Sequence, residues 1–393
     1  MSKYNANIPN GTRDYLFDEC GKRRTLENAL SRMFSKHGYG EMKSPTLEYY
    51  DTFTRTGNAP FEENMYKLID RDGRILVLRP DSTTPVARVF AAKLKHLALP
   101  QRVFYIQSVF RSGAAHTGSS AETVQAGAEL IGAGGLRADL EVITLAISAL
   151  EECGVEKFHI EIGHCGLFKA LISELTDDTE TAEEIRKTVE RKNYAALGDI
   201  LQPFGDTSAA AALKKLVGMF GGDEILGEAR KLSSVPQAAE CVEYLENLFL
   251  ELKRAGYEDK IRFDMGLVQQ IEYYTGIVFQ GFAEGVGEAV LKGGRYDYLT
   301  SSFGAEAEAI GFGLNIDSLP GSAGETKTET PVVLHYENGC LGEALEYIKM
   351  SGVCCELSTL NSVEESRRLA GEKGAALKIV TSNGITDDIE GLL

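Results

Sequence analysis

The sequence has no long apolar run: none of its 393 residues lies in a stretch that would cross a membrane. A membrane helix needs roughly 20 mainly apolar residues. The N-terminal segment, MSKYNANIPNGTRDYL, also has no apolar core of the kind that a secretory signal requires. We therefore expect a cytoplasmic protein without a membrane span.

Metal-binding and cofactor-binding motifs are missing as well. The seven cysteines are odd in number and form no CxxC pair, and the six histidines show no HxxxH or HExxH spacing. The chain also has no phosphate-binding P-loop, no GxGxxG fingerprint and no GxSxG elbow. These absences predict reduced thiols, no metal and no cofactor.

Basic blocks are also absent. The net charge is −17 and the isoelectric point is about 5.0, whereas proteins that grip a phosphate backbone usually have a basic face. A local basic groove on an acidic protein stays open as an alternative. The overall charge predicts that tRNA and other nucleic acids are not partners.

The patterns that are present indicate an α+β protein of more than one unit. The predicted elements are, in order, helix 13–37, strand 75–80, helix 85–97, strands 102–111 and 123–131, helix 138–153, strand 156–163, a helical insertion over about 166–256, strands 261–268, 272–283 and 288–292, and a helix near 311–319. A polar linker over 320–330 then leads into a small α/β unit. We expect a core over 1–325 and a C-terminal domain over 326–393.

Polar side chains share one face of the strand at 123–131. Alternate residues of a strand point the same way, so Gln125, Gly127 and Glu129 lie together, and Gly127 leaves a gap between the other two. A small polar ligand fits such a gap. The alternative is a solvent-facing strand with a glycine bulge.

Other polar groups have two interpretations each. Asp81 and Thr83 either cap a helix or hold a ligand ammonium. Arg111 ends an apolar strand, where it is paired structurally or binds an anion. Phenolic hydroxyls come from Tyr273, Tyr274 and Tyr296, which pack in a core or contact a ligand.

Five segments, in this order, resemble histidyl-tRNA synthetase. They are LRPDSTTPVAR, FYIQSVFR, VQAGAELIG, LVQQIEYYTGIVF and GGRYDYL, and the resemblance covers roughly residues 8–320. It implies a class II synthetase-like core: a mixed, largely antiparallel sheet flanked by helices, with a helical insertion.

The resemblance also implies a histidine pocket. In it, Asp81 and Thr83 would hold the ammonium, and Gln125 would meet the amino and carboxylate ends. Glu129 and Tyr274 would take the two imidazole nitrogens. Arg111, Tyr273 and Tyr296 complete the predicted pocket.

The departures from the synthetase pattern concern positive charge. Active members carry an arginine, as LVRG, where this chain has Gln269, and a motif arginine, as GLER, where it has Ser318. The loop after Arg111, normally charged, consists here largely of glycine, alanine and serine. Losing one donor that stabilises a transition state costs on the order of 10²–10³ in rate. We therefore expect no amino-acid activation and no catalytic residues.

A synthetase-like core with a kept pocket and lost catalysis resembles the regulatory-subunit family of ATP phosphoribosyltransferase. The resemblance implies a short catalytic partner subunit, histidine as ligand and feedback inhibitor in histidine biosynthesis, and a homodimer within a hetero-oligomer. The alternatives are a divergent active histidyl-tRNA synthetase or an amino-acid ligase on the same core. Whether histidine would bind in the cleft or at a subunit interface stays open.

Overall fold

The computed structural model describes residues 7–54, 64–112, 120–232, 235–268, 274–319 and 331–388. The helices are α1 (Asp18–Lys36), α2 (Asp51–Thr54), α3 (Thr83–Val89), α4 (Gly135–Glu152), α5 (Cys165–Leu175), α6 (Thr179–Glu190), α7 (Tyr194–Leu201), α8 (Ser208–Leu216), α9 (Glu224–Leu232), α10 (Pro236–Arg254), α11 (Leu341–Ser351) and α12 (Val363–Lys373). No helix in these ranges combines the length and apolarity that a membrane crossing needs.

The strands fall into three sheets. They are β1 (Gly40–Glu41), β2 (Leu47–Tyr49), β3 (Lys67–Ile69), β4 (Ile75–Leu78), β5 (Gln101–Phe110), β6 (Glu122–Ile131), β7 (Phe158–His164), β8 (Phe220–Gly221), β9 (Ile261–Asp264), β10 (Ile277–Ala283), β11 (Leu291–Arg295), β12 (Ala309–Asn315), β13 (Val332–Tyr336), β14 (Cys355–Leu357), β15 (Ala376–Thr381) and β16 (Gly384–Asp387). The chain divides into two compact units, Met1–Tyr15 with Arg23–Ala323, and Leu16–Lys22 with Gly324–Leu393.

The large sheet of the first unit has the order β1-β5-β6-β12-β11-β10-β7-β9-β8. Its central pairs, from β5 to β7, are antiparallel, whereas β1 pairs with β5 and β7 with β9 in parallel. One face of the sheet packs against α1 and α4, where Leu30, Phe34, Val142 and Ala146 are fully buried. The other face carries the site described below. The predicted class II-like, mixed and largely antiparallel sheet is confirmed.

The predicted helical insertion is the connection between two neighbouring strands. The chain leaves the sheet after β7, passes through α5 to α10, and returns in β9, which pairs with β7 in parallel. Leucines of the insertion extend the core of the large sheet, and Leu213, Leu216, Leu245 and Leu248 are at most 2% exposed. Parallel neighbours require a long crossover, and here that crossover is a helical subdomain.

The helix predicted near 311–319 is wrong. Residues 309–315 form β12, and a short 3-10 turn follows at Ile316–Ser318. The segment reads Ile-Gly-Phe-Gly-Leu, in which buried Ile310, Phe312 and Leu314 alternate with Gly311 and Gly313. Alternation with a period of two is the pattern of a strand.

The second unit contains a sheet of order β14-β13-β15-β16. Its first three strands are parallel, α11 and α12 follow β13 and β14 respectively, and β16 closes a hairpin with β15. Val333 and Ala370 are buried in one small cluster, and Ala344 and Val380 in another. This is the predicted small α/β unit.

Candidate functional site

A cleft of about 470 Å³ opens on the face of the large sheet that is opposite to α4. Its volume suits a small-molecule ligand. The predicted site residues that line it are Asp81, Thr83, Arg111, Gln125, Tyr274 and Tyr296. Tyr273 and Gln269 lie outside the described residues. The cleft is also lined by residues that the sequence reasoning missed, among them Lys192, Asp264, Glu288 and Lys292.

Asp81 and Thr83 lie at the turn between β4 and α3. Asp81 Oδ1 accepts a hydrogen bond from the backbone N–H of Thr84 at 2.8 Å, and Oδ2 accepts from the Thr84 hydroxyl at 3.1 Å. The carboxylate therefore stabilises the first helical turn and at the same time forms part of the cleft wall. Burial raises its pKa above the ordinary range.

Glu129 does not line the cleft but lies directly behind its wall. Its side chain is fully buried, and it accepts hydrogen bonds from Thr83 Oγ1 at 2.8 Å, Tyr296 OH at 2.6 Å and Tyr105 OH at 3.5 Å. Burial raises the pKa of Glu129 to about 8, against the effect of these donors. In this geometry the carboxyl group orients the hydroxyls of Thr83 and Tyr296, two residues that line the cleft.

Gln125 carries an unsatisfied acceptor. Its Oε1 is buried and has no hydrogen-bond partner among the described residues. Leaving such an atom unpaired costs about 1–3 kcal/mol, and the amide can place either its oxygen or its nitrogen at this point. A donor on a bound ligand would remove this cost.

Glycines of β11 and β12 make room for the site side chains. A Cβ on Gly311 would lie 1.6 Å from Glu129 Oε2, one on Gly313 would lie 2.1 Å from Gln125 Nε2, and one on Gly294 would lie 2.6 Å from the ring of Tyr274. These positions can hold only glycine while the three side chains keep their places.

The gap predicted at Gly127 is not open to a ligand. Tyr105 lies opposite Gly127 on β5, and its hydroxyl would be 2.3 Å from a Cβ at that position. The missing side chain is therefore filled by a neighbouring tyrosine of the protein. Sequence reasoning placed Gln125 and Glu129 on the right face but assigned the space between them to the wrong occupant.

The arginine and the aspartate of the GGRYD segment stabilise the fold and do not line the cleft. Arg295 is buried and forms an ion pair with Asp139 on α4, with its Nε at 2.9 Å, and a second one with Asp297 at 3.1 Å. Asp139 also accepts from Tyr244 OH of α10 at 2.5 Å, and Asp297 accepts from Thr275 Oγ1 at 2.6 Å. This network fixes the backbone on both sides of Tyr296 and next to Tyr274.

Ser318 lies where the resemblance expects an arginine. Its hydroxyl accepts from Asn315 Nδ2 at 2.7 Å and donates to Glu288 Oε1 at 3.4 Å. Asn315 and Glu288 line the cleft, whereas Ser318 does not. In place of a cation, this part of the wall therefore has polar and acidic groups.

Two lysines bring positive charge into the cleft. Lys192, just after α6 of the insertion, forms an ion pair with Asp264 at 3.0 Å. Lys292 of β11 lies on the same sheet face as Gly294, two residues along the strand. That alternation was a signal for Lys292 in the sequence. The described residues contain no group of histidine, cysteine and carboxylate side chains that would hold a metal ion.

Comparisons with known proteins agree on one lineage. A family model described as histidyl-tRNA synthetase matches residues 11–319. The chain is 37% identical over 380 residues to the ATP phosphoribosyltransferase regulatory subunit of Clostridium acetobutylicum, covering 94% of this chain and 92% of that protein. It is 36% identical over 355 residues to a protein of the same name from Bacillus cereus, covering 88% and 83%.

Solved structures give the same result. The structure described as an ATP phosphoribosyltransferase regulatory subunit/histidyl-tRNA synthetase from Bacillus halodurans has a TM-score of 0.84 and 30% identity, and the match covers 97% of this chain and 99% of that one. Histidyl-tRNA synthetase from Nostoc sp. PCC 7120 has a TM-score of 0.75 at 18% identity, with coverages of 99% and 96%, which shows a shared fold alone.

Proposed function

The chain belongs to the family of ATP phosphoribosyltransferase regulatory subunits, and we propose that it activates a short catalytic subunit and makes that subunit sensitive to inhibition by histidine. Its role lies in histidine biosynthesis, as the non-catalytic member of the complex. We place that complex in the cytoplasm. Aminoacylation of tRNA is not part of the proposal.

The observation that carries the ligand proposal is the unpaired Gln125 Oε1 in a cleft that also contains Asp81. Both groups accept from a donor, and a ligand ammonium supplies up to three. Tyr274 and Tyr296 add two phenol rings to the same cleft, for contact with a flat side chain. Free histidine has both features, and we propose that it binds here.

Ser318 supports a non-catalytic role. Transfer of an adenylyl group needs cations against the reacting phosphates, and this part of the wall has Glu288 and Asn315 bonded to Ser318 instead. A ligand that is bound but not transformed acts by changing another site. The free energy of such coupling is typically about 1–3 kcal/mol and is reciprocal, so histidine and the activating substrates oppose each other's binding.

The test mixes the purified chain with a short ATP phosphoribosyltransferase catalytic subunit and measures phosphoribosyl-ATP formation with and without histidine. We expect low activity of the catalytic chain alone, activation by this chain, and inhibition of the complex by histidine. Gln125→Leu should keep the activation and weaken the inhibition about 10- to 100-fold, because a hydrogen bond to a charged group contributes about 1.5–3 kcal/mol.

The matched control is Gln237→Leu, the same change at an exposed position of α10, which should behave as the wild type. A catalytic chain that is fully active and histidine-sensitive alone would refute the proposal. So would histidine-dependent exchange between pyrophosphate and ATP by this chain, because exchange requires the synthetase reaction. If Gln125→Leu leaves inhibition unchanged, histidine is sensed outside the cleft.

A further inference from the structure

Lys292 is a cation without a counterion. It lines the cleft, and among the described residues it forms no hydrogen bond or ion pair. Glu288 and Glu190 are near enough to act on its charge, but neither pairs with it. The other lysine of the cleft, Lys192, is bonded to Asp264. One cleft lysine is therefore paired with a carboxylate, and the other can pair with an anionic ligand.

The strand register places Lys292 beside the amide of Gln125. Lys292 is paired with Gly313 on β12, and the side chain of Gln125 lies over Gly313. Directly opposed residues of an antiparallel pair are about 4.5–5.5 Å apart. On its other side Lys292 is paired with Gln280 of β10, which is also uncharged. The side chain of Lys292 thus leaves the sheet next to Gln125, and both residues line the same cleft.

A second positive group acts on this lysine. Arg111 lines the same cleft. Loss of solvent lowers the pKa of Lys292 most, and the positive charge of Arg111 lowers it further. A cation that is partly removed from water next to a like charge is unfavourable until an anion binds. Glu288 and Glu190 oppose the effect of Arg111, and an anion bound in the cleft would act in the same direction as these two carboxylates.

We propose that Lys292, with Arg111 beside it, is the subsite that receives the carboxylate of the amino acid bound in the cleft. The inference rests on the proposed histidine site and adds to it the residue that recognises the carboxylate. Synthetases of this fold are expected to carry an arginine where this chain has the uncharged Gln269. Lys292 supplies the missing charge from β11.

The resulting cleft is dipolar. Asp81 and Gln125 Oε1 offer acceptors for the ammonium of a zwitterion, and Lys292 offers a donor for its carboxylate. An ammonium group is a point charge without the forked geometry of a guanidinium. It therefore selects for the presence of an anion more than for its orientation, which separates amino acids from the corresponding alcohols and amines.

The test is calorimetry on the full chain with histidine and with histidinol, which has an alcohol in place of the carboxylate. Hydrogen bonds to charged groups commonly change affinity about 10- to 100-fold, so we expect the wild type to prefer histidine by that factor. Lys292→Met should weaken histidine binding, leave histidinol binding unchanged and bring the preference close to one. Lys292→Arg should retain most of the preference for histidine.

The ratio of the two affinities separates recognition from folding, because a structural defect would weaken both ligands alike. Lys253→Met, the same change at an exposed end of α10, should keep the wild-type ratio. A full preference for histidine in Lys292→Met would overturn the subsite while leaving the histidine site intact. If the wild type binds neither ligand, the proposed site fails. Inorganic phosphate binding that depends on Lys292 would then show that the subsite takes phosphate, which also contradicts the carboxylate assignment.

Discussion

A buried carboxyl group behind the cleft determines how two of its hydroxyls point. Glu129 accepts from Thr83 and Tyr296 and is fully buried, and burial raises its pKa to about 8. An unfolded chain would release that proton near the ordinary glutamate value of about 4.3. Between these values the folded protein holds a proton that the unfolded chain does not. The free energy of unfolding therefore falls as pH rises from about 4.3 to 8 and levels off above that range.

Glu129→Gln removes this ionisation and should change the pH dependence of stability. Each unit of the pKa interval corresponds to at most about 1.4 kcal/mol. The Tm of the variant minus the Tm of the wild type should therefore be several degrees larger at pH 8 than at pH 5. Thermal unfolding at the two pH values measures the gain. Glu251→Gln, at a surface ion pair of α10, should show no such change. An equal Tm difference at pH 5 and pH 8 would contradict the assignment.

At the residue scale the sequence identified the side chains of the cleft better than their contacts. Strand alternation correctly put Gln125 and Glu129 on one face, but it did not show that Tyr105 fills the space at Gly127. Neither did it show that Glu129 lies behind the wall, because alternation gives the direction of a side chain and not what stands in front of it. Lys292 was missed although the alternation of its strand marked it, because a local pattern does not show which charged side chains have partners in the folded chain.

At the scale of the element, β12 is the strand for which the sequence predicted a helix. Its apolar residues face the helical layer and its glycines face the cleft, so its sequence has little polarity with which to mark the exposed side. The segment is also short, and short apolar runs are ambiguous between helix and strand. Elements with clear periodicity, such as α4 and the hairpin β5–β6, were predicted within a few residues. Pairing of β12 with β6 could not be predicted from local patterns, because it joins residues far apart in the chain.

Gly311→Ala should destabilise the protein, because β12 packs tightly against Glu129. The new methyl group would collide with Glu129 Oε2 and would lie 2.7 Å from the backbone oxygen of Ala128. Overpacking of a filled site typically costs about 1–3 kcal/mol, and here it should also lower histidine affinity because Thr83 and Tyr296 lose their anchor. Thermal unfolding and calorimetry are the measurements.

Gly227→Ala is the control, at an exposed position of α9 with nothing within 4 Å of the added methyl group. Alanine favours a helix by up to about 1 kcal/mol over glycine, so this variant should be as stable as the wild type or more so. If Gly311→Ala unfolds at the wild-type temperature, the tight packing of β12 against Glu129 is refuted.

At the scale of the whole molecule, the first unit presents an apolar face on its β2-β4-β3 sheet. Register puts Leu47, Tyr49 and Leu68 on one side of the β2-β4-β3 sheet, and they are 47%, 45% and 44% exposed. Contiguous exposed apolar residues commonly mark an interface. We expect a second copy of the chain to cover this face.

Sedimentation at micromolar concentration should therefore show a dimer. Leu68→Glu should shift the protein toward monomer, because a charge would be buried in an apolar contact. Leu250→Glu, at a 45% exposed position of α10, should leave the dimer intact. A folded wild-type monomer, or a Leu68→Glu variant as dimeric as the wild type, would rule out this interface.

The insertion leaves and rejoins the sheet at β7 and β9, which are hydrogen-bonded neighbours. Because the two strands are parallel, the insertion starts beyond His164 and ends at Ile261, which lies opposite Ile160. Its attachment points are therefore offset by about four residues, roughly 13 Å along the strands. Replacing the insertion would remove several connections to the core. Among them are the bond from Lys192 to Asp264 in the cleft, the bond from Lys169 to the backbone oxygen of Tyr274, and the bond from Tyr244 to Asp139 that supports the GGRYD segment. A subdomain of another size could therefore stand at this place in the sheet only if it restored those connections.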